Sequence, residues 1–108
     1  MVEMSKEMAA AVLSQSELVP EGNEVRAIRN LSREALIALG FKQICSGESI
    51  DYVITTSAGE IVIVDGRIIP KEAIQFLLEA GVKNPVLEVA AKELGIKVEK
   101  SHAARVSA

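Results

Sequence analysis

Arg26, Arg29 and Arg33 stand at i, i+3 and i+7, a spacing that aligns three guanidinium groups along one stripe of a helix. Such a stripe could grip a phosphate, a carboxylate ligand or an acidic partner through bidentate contacts. A solvated flank, with Glu34 and neighbouring acids as loose partners, accounts for the same spacing. The polar run Thr55-Thr56-Ser57-Ala58-Gly59 could present hydroxyl and backbone donors to an anion, and a hairpin turn explains it equally without a ligand. With Arg67 added, the candidate binding set is Arg26, Arg29, Arg33, Ser57, Gly59 and Arg67.

The remaining chemistry-bearing residues assemble into no catalytic or metal set. Glu48, Asp51, Glu60 and Asp65 fall in one region, and two or three could meet at a sheet end to hold Mg²⁺ through carboxylate oxygens. Acids in turns more often satisfy local backbone N–H groups or face water. One Cys (Cys45) and one His (His102) cannot supply the four ligands of a structural zinc site, and no Ser-His-acid triad can be built on a histidine so close to the C-terminus. Cys45 precedes a Ser-Gly loop, where nucleophiles are often placed. A phosphatase-style loop would need an arginine where Asp51 stands, so Cys45 reads as a small buried hydrophobe on the meander. Neither a Walker sequence nor G-x-G-x-x-G occurs. Val64-Asp65-Gly66-Arg67 is faintly similar to the acidic strand-to-helix loop of toprim domains. That family uses Glu in place of Asp65 and needs a later paired-Asp motif, and no Asp follows Pro70.

Composition narrows the function classes. Hydrophobic residues make up 49% of the 108 and mean hydropathy is +0.27, outside the disordered regime. So many apolar residues in so small a domain imply association, and a homo-oligomer or a protein partner is expected. The content is aliphatic, with no Trp, one Tyr and two Phe, which leaves few rings to stack bases or sugars. The net charge of −3 and pI near 5.2 carry the wrong sign for general affinity to nucleic acid or anionic lipid. A lone cysteine fits a reducing compartment. The N-terminus lacks a signal-peptide pattern, and no apolar run approaches the roughly 20 residues of a membrane span. A cytoplasmic location is the default expectation.

The elements that must carry these residues follow from periodicity and punctuation. Met4 to Val19 has apolar residues at helical spacing, with Pro20 and Gly22 as its stop. This N-terminal amphipathic helix, within residues 1–20, could serve as an oligomerisation arm. Asn23 then reads as the N-cap of a second helix whose buried face is Val25, Ile28, Leu31, Ala35, Leu36 and Leu39, ending at Gly40. Phe41 to Cys45, Asp51 to Thr56, Ile61 to Val64 and Arg67 to Ile69 read as strands of an antiparallel meander. Asp65-Gly66 is the hairpin signal between the last two, because both central residues of a type I′ turn need positive φ. A third helix, Lys71 to Ala80, is apolar nearly all round. A fourth begins at Asn84-Pro85 and runs to Leu94. Ile96 to Glu99 alternates like an edge strand, and residues 101–108 read as a flexible tail.

Strands grouped between pairs of helices predict an α+β fold. The expectation is a single small domain over residues 1–100, with a mainly antiparallel sheet of about four strands packed by three to four helices. A three-layer α/β alternative would make Ile61 to Val98 a parallel crossover. Functionally the reading is a non-catalytic oligomeric interaction or assembly module. The alternative is a regulatory or enzymatic domain binding a nucleotide, phosphate or carboxylate through the set above. The sequence assigns no cofactor.

Overall fold

The computed structural model describes residues 3–98. Its element order is α1 (Lys6–Ser14), β1 (Leu18–Glu21), β2 (Glu24–Ala27), α2 (Arg33–Ala38), β3 (Lys42–Ser46), β4 (Ser49–Thr56), β5 (Gly59–Ile63), β6 (Ile68–Ile69), α3 (Lys71–Glu79) and α4 (Pro85–Glu93). The fold is α+β, and its strands divide into two antiparallel sheets, β1-β2-β6 and β3-β4-β5. All the strand pairings are antiparallel, so the segment after Ile61 is not a parallel crossover.

The first quarter of the chain departs most from the sequence expectation. Ser5 caps α1, its Oγ accepting from Met8 N–H at 3.1 Å, and Ala9, Ala10 and Leu13 form the buried stripe. The helix ends at Ser14, and Leu18–Glu21 is a strand rather than its last turn. Pro20 and Gly22 therefore punctuate a hairpin. Pro20 lies on the edge strand opposite Val25, where a proline is tolerated. Gly22 takes φ +64 at the first central position of the turn. The helix expected from Asn23 to Leu39 is likewise corrected. Residues 24–27 pair with both β1 and β6, and only Arg33–Ala38 is helical, capped by Ser32 Oγ. Val25 and Ala27 are fully buried with half-exposed Arg26 between them. That period-two pattern sits inside a run that also fits period 3.6, and ladder partners on both sides, the adjacent β1 and the distant β6, decide between the two.

The rest follows local chemistry closely. β3, β4 and β5 form the expected meander. Asp65 and Gly66 take φ +60 and +66, the pair of values a type I′ turn requires. The chain leaving this turn does not lengthen the meander. Ile68 bridges once to Val64, and Ile68–Ile69 then joins β2 in the other sheet. Backbone bonds fasten the junction, Leu31 N–H to Gly66 O and Ala27 N–H to Arg67 O, at 2.9 and 2.8 Å.

Helix α3 buries Ala73, Ile74, Leu77 and Leu78. α4 starts on Asn84, whose side chain accepts from Val86 N–H. The two helices, with α1 and α2, enclose one core in which Leu36, Ile63, Ile69, Ile74 and Leu77 are buried and Phe41 meets Phe76 edge to face at 5.4 Å. Ile96–Val98 forms no strand. It runs beside α3, where Gln75 Nε2 donates to Lys97 O at 2.8 Å. The expected tail 101–108, with His102, lies outside the described residues. No helix among the described residues is long and apolar enough to cross a membrane.

Candidate interaction surface

The candidate arginines share no helix stripe, because the helix that would have aligned them is not formed. Arg26 lies on β2 and pairs diagonally across the hairpin with Glu21, Nε to Oε2 at 3.2 Å. Arg33 opens α2, and its Nη1 donates to Gln43 Oε1 at 3.4 Å. Arg67 is committed to structure, with Nε donating to Ala27 O at 3.3 Å and Nη2 to Ile28 O at 3.1 Å. It fixes the end of β2 against the type I′ turn. Arg29 is exposed and has no hydrogen-bond or ion-pair partner among the described residues. It lines a shallow cleft with Gln15, Ser16, Glu17, Asn30 and Ser32.

Ser57 and Gly59 line a different cleft, of about 370 Å³, between the β4–β5 turn and α3. Glu60, Glu72 and Glu79 line the same cleft, an electrostatic setting that disfavours an anion. The turn itself is self-contained. Thr56 Oγ1 donates to Gly59 O at 2.9 Å and accepts from Ala58 N–H at 3.1 Å.

Two of the four acids of the sheet region, Asp51 and Asp65, have structural partners. Asp51 Oδ1 accepts from Asp65 N–H at 2.8 Å and from Ser49 Oγ at 3.2 Å, so this carboxylate holds the type I′ turn closed. Among the described residues no group of three His, Cys, Asp or Glu is placed to hold a metal ion. Cys45 is a free, exposed thiol on β3 rather than a buried hydrophobe.

A surface that the candidate set did not contain stands out instead. In the β3-β4-β5 sheet, residues directly opposite one another share a face. Gln43–Tyr52–Ile63 and Ile54–Ile61 form rows on one face, where Tyr52, Ile61 and Ile63 are buried in the core. The opposite face carries Lys42–Val53–Val62 and Ile44–Asp51, with Val64 next along β5. None of Ile44, Val53, Val62 and Val64 is buried, and Ile44 and Val64 are 47% and 46% exposed. Ile50 at the hairpin tip, also exposed, falls on the other face, opposite Cys45 and in line with Tyr52. The sequence carried a signal for this band. Ile61-Val62-Ile63-Val64 is apolar at every position, which is the pattern of a strand covered on both faces, and here a single chain covers only one.

Compared with known proteins, the chain matches no family model, and no curated protein or solved structure shows significant similarity to it.

Proposed function

We propose that this chain is a non-catalytic, homo-oligomeric assembly module whose association surface is the open side of the β3-β4-β5 sheet. The observation that carries the reading is the aliphatic band Ile44, Val53, Val62 and Val64 on a face with none of its members buried. Burying β-branched side chains of this kind is worth about 1.5–3 kcal/mol each when complete, so association has a ready driving force. Lys42, Asp51, Thr55 and Glu60 share or border that face and would give orientation and solubility rather than affinity. The arrangement asks no covalent chemistry of any side chain.

Light scattering and sedimentation equilibrium of the purified chain, from micromolar to submillimolar, test the reading. A mass at a multiple of the 11.5 kDa chain, reduced by Val62→Lys, is expected. A monomer throughout that range overturns it.

A further inference from the structure

Strand β3 ends its sheet, with β4 as its one strand neighbour among the described residues, and Lys42, Ile44, Cys45 and Ser46 on it are exposed. The turn to β4 is two residues long, Gly47-Glu48, with φ +63 at Gly47. A β-turn closes through a hydrogen bond between its first and fourth residues, so Ser46 and Ser49 are a hydrogen-bonded pair. Antiparallel ladders alternate such pairs with non-bonded ones. Ser46, Ile44 and Lys42 thus turn their N–H and C=O groups towards β4, and Gln43 and Cys45 turn theirs outward along the free edge.

An edge of this kind admits an antiparallel copy of itself, and the side chains choose the register. Centring the pair on Ile44 sets Gln43 opposite the second copy's Cys45, and Cys45 opposite its Gln43. These four residues exchange the outward backbone bonds. Ile44 then meets Ile44 as a non-bonded pair, the closer type across a ladder. Lys42 stands opposite Ser46 and diagonal to Glu48, so symmetry produces two Lys–Glu pairs at the ends of the contact. The register centred on Gln43 would place Ile44 against Lys42, and the one centred on Cys45 would place Ile44 against Ser46. Only the Ile44 register joins the two apolar bands through an apolar pair.

Resting on the assembly reading above, we infer that two copies of this chain join edge to edge through β3, antiparallel about Ile44, making one six-stranded sheet with a continuous aliphatic face.

Three variants test this. Cys45→Pro removes an outward N–H while leaving the β4 ladder intact, and Ile44→Lys sets two ammonium groups against each other. Each is expected to keep the wild-type circular dichroism and to lower the oligomer mass by at least half. In Gln43→Cys, residue 43 faces the second copy's Cys45, so diamide oxidation is expected to yield a covalent dimer. Wild-type Cys45 residues, offset diagonally in this register, are expected to stay free under the same treatment. A wild-type dimer that cross-links through Cys45 as readily overturns the register. An oligomer whose mass is an odd multiple of the chain, or is unmoved by both edge variants, overturns edge pairing while leaving the assembly reading standing. A monomeric wild type overturns both.

Discussion

Asn84 is the only buried polar side chain among the described residues, 3% exposed, and its replacement by Asp isolates a single piece of chemistry. The amide does two jobs. Its Oδ1 accepts from Val86 N–H at 3.0 Å, capping α4, and its Nδ2 donates to Ser14 O at 3.1 Å and Ser16 O at 3.0 Å. Those carbonyls belong to the last residue of α1 and the turn after it, where carbonyls lack helical partners. Asn84→Ala removes the cap, worth about 1 kcal/mol, and two further bonds of about 1 kcal/mol each. The expected loss is about 3 kcal/mol, a fall in Tm of roughly 10–20 °C for a domain of this size. Asn84→Asp keeps the capping acceptor and sets an anion against two carbonyl oxygens. Burial and these oxygens raise the pKa of the introduced carboxyl in the folded state above its unfolded value of about 3.9. The folded form then holds a proton that the unfolded form releases, so stability falls as pH rises through that window. Thermal melts from pH 4 to 8 should show Asn84→Asp near the wild type in acid and well below it at neutrality. A gap that does not change with pH, or no gap, would refute the assignment of this amide as a clamp.

Other substitutions probe the junction between the sheets. Gly66→Ala puts a side chain at φ +66, with its Cβ 3.4 Å from Tyr52 Cε2. It should cost about 1–2 kcal/mol in denaturant unfolding, whereas an unchanged midpoint would mean that the turn relaxes freely. Arg67→Met removes both bonds to the Ala27 and Ile28 carbonyls. It should destabilise by about 1–3 kcal/mol and speed amide exchange at Ala27, and unaltered exchange would show that the clasp does not hold β2.

What could be read from the sequence was chemistry contained within a few residues. Asp65-Gly66 announced a turn with two positive φ values, Asn84-Pro85 announced a cap, and Ser57-Ala58-Gly59 announced a hairpin, because each rests on bonds to its immediate neighbours. The stretch Glu24 to Leu39 could not be read that way. Val25, Ile28, Leu31 and Leu36 fit a helical stripe, and what overrides it is pairing of residues 24–27 with β1 on one side and with a two-residue strand at 68–69 on the other. Arg67 has the same character, since a side chain bonded 40 positions away gives no local signal of its commitment. The expected arginine stripe is not formed, because Arg26 lies on β2 and Arg33 opens α2. The aliphatic band was visible as an unbroken run at Ile61 to Val64, yet which half of the run faces the core depends on helices elsewhere in the chain.

The small strand β6 also governs the order in which this protein can be built. The β3-β4-β5 sheet is a meander whose every pairing closes over a short loop, so it can form as soon as Ile63 has been synthesised. The β1–β2 hairpin is made earlier and completed later. Its third strand, and the helix α4 that packs on β1 and β2, come more than 40 residues behind. Until they emerge, Val25 and Ala27 have no cover and β2 keeps an open edge. The hairpin therefore waits for partners made well after it, and during that interval it is a segment on which a chaperone or a protease would act.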